Sequence, residues 1–207
     1  MPGTWPRLFS YVVRYDVGFA PNPFHGWCTL ATCKPGIRGK ASLGDWIVGT
    51  GSKEAHRGGC LVYAMRVEES LTFQQYWEDP RFICKRPSMC GSIKKAVGDN
   101  IYHRDKQGNW SQEDSRHTRE DTSVNIEHLA KDTTIDVVLV SQRFSFFGGA
   151  GPVVPDHLRV DFSLVHSGQG YRSSFSAEQV AAAVAWLNTV KRGYQSEPGD
   201  MRALIRR

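Results

Sequence analysis

The sequence predicts an α+β fold built on a small, partly closed β-barrel, with short helices, long ordered loops and a C-terminal amphipathic helix. Apolar stretches rich in β-branched and aromatic residues are short and numerous, whereas the clearest helical periodicity lies in one stretch near the C-terminus. We expect a single domain over residues 1–207, with a barrel-like core at about 8–165 and a loop insertion at 83–130.

Strands are predicted where short apolar runs lie between glycine, proline and polar residues. A turn at Gly44-Asp45 leads into one of them, and the run at 143–147 is expected to pair with the run at 135–140 just before it. The predicted strands are Leu8–Arg14, Cys28–Thr32, Trp46–Val48, Cys60–Val67, Ile135–Val140, Arg143–Phe147 and Val160–His166.

Two helices have recognisable ends. A short helix is predicted over Thr72–Glu78, since Thr72 suits an N-cap and no breaker occurs until Pro80. A longer amphipathic helix is predicted over Ala177–Lys191. Ser176 and Gln179 form a capping box before it, and a glycine follows it as a stop.

The composition excludes several classes of protein. The chain has 207 residues, of which 40% are hydrophobic and 23% charged, too apolar a mixture for intrinsic disorder. No run approaches the ~18 apolar residues of a membrane span, and the N-terminal stretch lacks the apolar core of a signal peptide. Five cysteines, an odd number, argue against a disulfide framework. We therefore expect a cytoplasmic protein without a membrane partner.

Charge is segregated along the chain, whose net value is +5. Residues 81–106 contain seven basic and two acidic residues, a net charge of +5, whereas residues 107–136 carry −4 and residues 191–207 carry +3. The basic window predicts a surface that attracts phosphate groups. The alternative is that the basic and acidic windows form solvated faces that pair with each other.

The common catalytic signatures are absent. The sequence contains no P-loop, no Gly-x-Gly-x-x-Gly, no Gly-x-Ser-x-Gly and no His-Glu-x-x-His, so NTPases, dinucleotide enzymes, serine hydrolases of the elbow type and zinc proteases lose support.

Asn22 lies between two prolines and close to Phe24. The prolines fix the backbone on both sides of a short amide, which offers the donor and acceptor that read a base edge, and an aromatic ring offers a stacking face. The alternative is a rigid turn in which Asn22 caps its own backbone and the phenylalanine belongs to the core.

Cys33 is followed by Lys34 and, after a short interval, by Arg38. The adjacent lysine makes Cys33 a candidate nucleophile, although Lys34 and Arg38 suit phosphate contacts better. The spacing from Cys28 to Cys33, like that from Cys84 to Cys90, lacks the tight pattern of a zinc site. We predict no metal site and no cofactor.

The segment 98–104 places Asp99, Asn100, Tyr102 and His103 within five residues. Together they supply acid, base and hydrogen-bonding groups, with Asp99 able to orient His103 or to accept from a base amino group. The alternative is an Asx-turn beside a surface histidine. The remaining histidines, His117, His128 and His166, have no comparable local pattern and are interpreted as surface or core residues.

Several motifs in order resemble the nucleotide modification associated domain 2 family. They are Ala20–Phe24, Cys28–Pro35, Gly44–Ser52, Tyr76–Phe82 and Gly98–His103, and the resemblance runs from about Tyr11 to Pro155. That family is linked to bacterial and phage systems that handle modified DNA bases or nucleotides. The resemblance implies a nucleotide or nucleic-acid partner and partner proteins of a DNA modification or defence system.

A further resemblance concerns the fold. The strand after Gly44-Asp45, the serine-containing turn and the next strand are similar to the barrels of the EVE, ASCH and PUA superfamily, which bind RNA or modified bases in a pocket beside the barrel. A PUA-like barrel is therefore the expected core, and the insertion at 83–130 is a departure from that pattern.

Three functional hypotheses follow. In the first, the protein binds a nucleotide or a modified base in DNA or RNA; the base contacts are assigned to Asn22, Phe24, Trp46, Ser52, Asp99, Asn100 and Tyr102, and the phosphate contacts to Lys34, Arg38, Lys94 and Lys95. In the second, it is an enzyme of nucleotide or base modification with His103 or Asp99 as general base and Cys33 as candidate nucleophile. In the third, it is a structural partner in a modification or defence complex.

Overall fold

The computed structural model describes residues 5–201. Its strands are β1 (Leu8–Val13), β2 (Cys28–Leu30), β3 (Trp46–Gly51), β4 (Leu61–Arg66), β5 (Glu69–Leu71), β6 (Tyr102–Arg104), β7 (Trp110–Gln112), β8 (Val138–Ser141), β9 (Phe144–Phe146) and β10 (Gly193–Tyr194). Its helices are α1 (Pro35–Arg38), α2 (Phe73–Glu78), α3 (Ile93–Ala96), α4 (Ile126–Thr133) and α5 (Ala177–Leu187). Short strands interleaved with short helices confirm the predicted α+β class.

The described strands form three open sheets. The largest has the order β1-β3-β4-β9-β10, a second has the order β2-β8-β5, and β6 pairs with β7 alone. The pairs β1/β3 and β9/β10 are parallel and the other neighbours are antiparallel. A barrel requires its first and last strands to pair, but β1 and β10 do not. The expected PUA-like barrel is therefore not formed within residues 5–201, since β5 and β8 join a separate sheet with β2.

One predicted strand pairing is wrong. β8 and β9 are neighbours in sequence but lie in different sheets, because β8 pairs with β2 and β5 whereas β9 pairs with β4 and β10. Glu68 fixes the corner between them, since its Oε2 accepts hydrogen bonds from the backbone N–H groups of Gln142 (2.7 Å) and Arg143 (3.0 Å). The predicted strand at 160–166 is also wrong. A π-helical turn over His157–Asp161 occupies its start.

Both predicted helices are present with their caps. Thr72 and Gln75 form a capping box on α2, and Ser176 and Gln179 form one on α5. α5 ends at Leu187 instead of Lys191, since the backbone N–H of Thr189 bonds to the Trp186 carbonyl three residues back (2.9 Å) and the Thr189 hydroxyl donates to the same carbonyl (2.7 Å). None of the described helices is long and apolar enough to cross a bilayer.

The segment 83–130 is more ordered than a loop insertion. It contains α3, β6, β7 and the start of α4, and it contributes Val97, Ile101 and Tyr102 to a buried apolar cluster that includes residues of α2. Burial of this apolar surface ties the segment to the second sheet. As a result, Tyr102, His117 and Asp132 lie close to the turn that follows β2.

Candidate functional site

Cys33 lies on a tight turn between a strand and a helix. β2 ends at Leu30 and α1 begins at Pro35. Cys33 and Lys34 have φ angles of 57° and 43°, in the left-handed region that non-glycine residues seldom adopt. Each such residue costs on the order of 1–2 kcal/mol, and strain of this kind clusters at functional sites. The turn therefore presents a nucleophilic side chain in a backbone conformation that the surroundings must enforce.

The Arg38 guanidinium enforces that conformation. It is 1% exposed, and its Nε donates to the Cys33 carbonyl at 2.9 Å. Its other nitrogens donate to the backbone carbonyls of Asp132 (2.6 Å), Ile135 (2.7 Å) and Val137 (2.6 Å). One buried side chain thus joins the Cys33 turn to the end of α4 and the start of β8. The phosphate contact predicted for Arg38 stays a prediction, and its donors point at protein carbonyls.

Cys33, His117 and Asp132 form a continuous chain of contacts. The Sγ of Cys33 lies 3.7 Å from the Nε2 of His117, and the Nδ1 of His117 lies 3.0 Å from the Oδ2 of Asp132. The other carboxylate oxygen of Asp132 accepts a 2.8 Å hydrogen bond from the Cys33 backbone N–H. A single carboxylate therefore positions both the imidazole and the backbone that carries the thiol.

The Tyr102 hydroxyl completes this group, which we call the Cys33 cluster: Cys33, His117, Asp132 and Tyr102. The hydroxyl donates to the Oδ2 of Asp132 at 3.2 Å and lies 3.1 Å from the Nδ1 of His117. When Nδ1 donates to the carboxylate, Nε2 is directed at the sulfur. The Phe19 ring packs edge-on against the imidazole with centroids 4.7 Å apart, which restricts its rotation.

The cluster favours a protonated imidazole. Burial acts to lower the pKa of His117, but its hydrogen bonds with Asp132 and Cys33 outweigh burial and raise that pKa to about 9. Cys33 is half-buried, and the His117 side chain is 12% exposed whereas that of Asp132 is 2% exposed. The cluster thus runs from a shielded carboxylate to a thiol near the surface.

A thiol, an imidazole and a carboxylate in this order supply a nucleophile, a base and an orienting group. Of the three, sequence reasoning identified only Cys33, paired it with His103 or Asp99, and interpreted His117 as a surface or core residue. Contacts in the cluster span 84 residues between Cys33 and His117 and 99 between Cys33 and Asp132. No local motif contains both partners, so only the folded chain identifies them.

Asp99 belongs to a second polar cluster, formed by Asn22, Thr29, Tyr76, Lys85 and Asp99. Its carboxylate accepts from the hydroxyls of Thr29 (2.6 Å) and Tyr76 (2.8 Å), and the Lys85 ammonium donates to Thr29 Oγ1 (3.0 Å) and Asn22 Oδ1 (2.7 Å). All five residues are at most 1% exposed. Burial raises the pKa of Asp99 and lowers that of Lys85, while the opposite charge of each partner counteracts the shift. We call this the Asp99 cluster.

The other residues assigned to base contacts lie inside the protein. The side-chain amide of Asn22 donates to the Val97 carbonyl at 2.9 Å, and that of Asn100 donates to two backbone carbonyls at 3.0 and 3.2 Å. Phe24 and Trp46 are each 5% exposed within the apolar core. Base contacts by these four side chains stay predictions.

His103 lies apart from Asp99. Its ring stacks on Trp77, with centroids 4.0 Å apart and an interplanar angle of 18°, and its Nε2 lies 2.9 Å from Glu113 Oε1. Asp99 and His103 share none of these partners, so the structure does not join them into one acid–base pair.

The predicted phosphate contacts separate into two places. Lys94 pairs with Glu197 at 3.0 Å, and Lys95 is exposed on the same short helix. Lys34 instead lies with its Nζ 4.4 Å from the Tyr11 ring centroid, and together with Ser52 it lines a cavity of about 800 Å³. The structure therefore brings Lys34 and Ser52 to one cavity and leaves the two α3 lysines elsewhere.

All five cysteines are free. Within residues 5–201, no group of three or more His, Cys, Asp or Glu side chains is arranged to hold a metal ion.

Comparison with known proteins identifies the family. No curated protein and no solved structure matches the chain. A model of the nucleotide modification associated domain 2 family matches residues 5–205, which is longer than the stretch over which the sequence motifs resemble it. The chain belongs to the nucleotide modification associated domain 2 family, whose description supports a role in nucleotide modification systems.

Proposed function

We propose that this protein is a thiol-dependent enzyme that transfers or hydrolyses an acyl group within a nucleotide modification system. The observation that carries the proposal is the unbroken order of Cys33 Sγ, His117 and Asp132, with contacts of 3.7 and 3.0 Å. Nucleophile, base and orienting group in hydrogen-bonding order are the diagnostic arrangement for covalent catalysis. The family supports a role in nucleotide modification, and the geometry of the Cys33 cluster supports thiol chemistry.

The first half-reaction forms a thioester. In the reactive form the thiol proton is already on His117 Nε2, a state that the raised pKa of His117 favours. The Cys33 thiolate attacks the carbonyl carbon of an amide or ester, so that a C–S bond forms and the carbonyl electrons move to oxygen. When the intermediate collapses, the bond from carbon to the leaving nitrogen or oxygen breaks, and Nε2 returns the proton to the leaving group.

The second half-reaction frees the thiol. Water or an acceptor amine gives a proton to His117 Nε2 and attacks the thioester carbon, after which the C–S bond breaks and the thiolate leaves. Asp132 stabilises the imidazolium through both steps and holds its ring orientation, as the carboxylate of a catalytic triad does. Arg38 acts as a positioning residue, because it fixes the Cys33 carbonyl against the backbone of Asp132.

An ester that releases a coloured alcohol tests the proposal without knowledge of the natural substrate. With p-nitrophenyl acetate, we expect a burst of about one nitrophenol per protein molecule, the kinetic mark of a covalent intermediate. Intact-protein and peptide mass spectrometry should locate the acetyl group on Cys33.

Variants within the Cys33 cluster, together with a cysteine variant outside it, show which residue forms the covalent intermediate. The burst should disappear in Cys33→Ala and His117→Asn but persist in Cys84→Ala, which removes an exposed cysteine. Absence of a burst in the wild type, or a burst of equal size in Cys33→Ala, would refute the proposal.

Binding without catalysis is the second candidate function, favoured by the cavity lined by Lys34 and Ser52. In that case, nucleotides or oligonucleotides with modified bases should raise the melting temperature, and His103→Ala should retain the increase. Turnover of a nucleotide that is lost in His103→Ala would instead support acid–base chemistry by His103.

A further inference from the structure

The cavity beside Lys34 has the size and polarity of a ligand site. It has a volume of about 800 Å³ and lies between the end of β1, the loop 51–59 and the loop 165–170. Sites for small molecules commonly measure 300–1,000 Å³. From its lining we infer that this cavity binds the phosphate groups of the substrate whose acyl carbon reaches Cys33, an inference that rests on the proposed function.

The lining has an excess of positive charge. Arg14, Lys34, Lys53 and Arg159 face a single acidic lining residue, Glu54. Glu54 pairs with Arg14 at 3.3 Å, and Arg159 pairs with an aspartate outside the cavity. Lys34 and Lys53 have no carboxylate partner among residues 5–201. Two lysines without counter-ions in one cavity favour an anionic ligand.

The cavity wall is built from closely packed backbone. Gly51 and Gly58 form an isolated β-bridge, and a Cβ added to Gly51 would lie 2.4 Å from the Arg57 carbonyl oxygen. Another part of the lining is open, since a Cβ on Gly168 or Gly170 would have no heavy atom within 4 Å. The glycines of this loop leave room for a ligand that needs close approach to the backbone.

Lys34 links the cavity to the Cys33 cluster. It follows Cys33 directly in the strained turn, while its own side chain lines the cavity over the Tyr11 ring. Cys33 itself does not line the cavity, so a substrate held there by its phosphate groups has to extend past Lys34 to reach the thiol. Remote contacts of this kind position the reacting part of a substrate and raise the rate of reaction.

Calorimetric titration with inorganic pyrophosphate at low salt tests the inference directly. We expect saturable binding that weakens as salt is added, and Lys53→Gln and Arg159→Gln should each weaken it by about tenfold, because each removes a hydrogen bond to a charged group. Both side chains are exposed, so the variants should fold. Lys106→Gln, in the β6–β7 turn, is the control of equal charge and should bind like the wild type.

Competition against bound pyrophosphate distinguishes two sources of the phosphate groups, a free nucleotide and a nucleic-acid strand. Displacement of pyrophosphate by thymidine 5′-triphosphate but not by a short single-stranded DNA would identify a free nucleotide, and the reverse result would identify a nucleic-acid strand. Failure of both to compete, absence of pyrophosphate binding, or an equal loss in Lys106→Gln would overturn the inference. The Cys33→Ala protein should bind pyrophosphate with unchanged affinity, so failure of the cavity is distinguishable from failure of the thiol chemistry.

Discussion

The Cys33 cluster and the Asp99 cluster are built alike but differ in access. Each centres on a buried carboxylate that accepts a tyrosine hydroxyl, Tyr102 for Asp132 and Tyr76 for Asp99. β2 supplies Thr29 to the Asp99 cluster, and the turn after β2 supplies Cys33 to the Cys33 cluster. All members of the Asp99 cluster are at most 1% exposed, whereas Cys33 is half-buried and the His117 side chain is 12% exposed. One cluster is sealed and the other reaches the surface.

Under the proposed function, this difference separates a structural network, the Asp99 cluster, from a reactive one, the Cys33 cluster. In the Asp99 cluster, the three N–H groups of the Lys85 ammonium are directed at four internal acceptors within 3.0 Å, and the group has no access for a ligand. Such fully satisfied networks specify the fold. In the Cys33 cluster, the element at the open end is a thiol with a base at its side. Burial of polar groups alone therefore does not mark a reactive site; a nucleophile at the exposed end of the network does.

The largest expected effect is on folding, from Lys85→Ala in the sealed cluster. The variant leaves the Asp99 carboxylate without its nearby cation and strips hydrogen bonds from buried acceptors, so we expect a loss of about 3–5 kcal/mol in the free energy of unfolding. Urea denaturation measures it. Lys95→Ala, at an exposed lysine of the same basic window, should change stability by less than about 0.5 kcal/mol. A Lys85→Ala protein as stable as the control would mean that the sealed cluster does not support the fold.

Asp132→Asn should have an intermediate effect on stability and a large effect on reactivity. The amide still fills the space, but it weakens the contacts with His117 and the Cys33 backbone N–H, for which we expect a cost of about 1–3 kcal/mol. The acetylation burst should fall far more than stability does, since the imidazole loses its orienting charge. A variant that keeps the full burst rate would remove Asp132 from the proposed catalytic group.

The smallest expected effect concerns how the free energy of unfolding changes with pH through the titration of His117 in the Cys33 cluster. The folded pKa of His117 is about 9, above its ordinary value near 6.5. Its contribution is therefore fully present below about pH 6.5 and lost as pH rises through about 9. We expect the stability difference between wild type and His117→Asn to shrink by on the order of 1–2 kcal/mol from pH 6 to pH 9.5, measured by urea denaturation. A constant difference would contradict the charged state of His117.

The sequence predicted the framework better than the site. The capping residues of α2 and α5 and most strands depend on local patterns, and these predictions are confirmed. The barrel failed because strand partners are chosen by long-range packing, as the separation of β8 from β9 shows. Asp99 was predicted as a site residue because several polar residues lie close to it in the sequence. In the structure, the side chains of those residues lie in different environments. His117 and Asp132 have no such local signal and meet Cys33 only through folding of the segment 83–130 and of the α4 helix that continues from it.

Alkylation of the cysteines by iodoacetamide, followed residue by residue with mass spectrometry, tests the central claim that Cys33 is an activated nucleophile. Cys84 and Cys90 are more exposed and serve as internal controls. At neutral pH we predict that Cys33 reacts faster than both, and that His117→Asn slows Cys33 about tenfold or more while it leaves Cys84 and Cys90 unchanged. If Cys33 reacts more slowly than the exposed cysteines, or at the same rate in His117→Asn, then Cys33 is not an activated nucleophile.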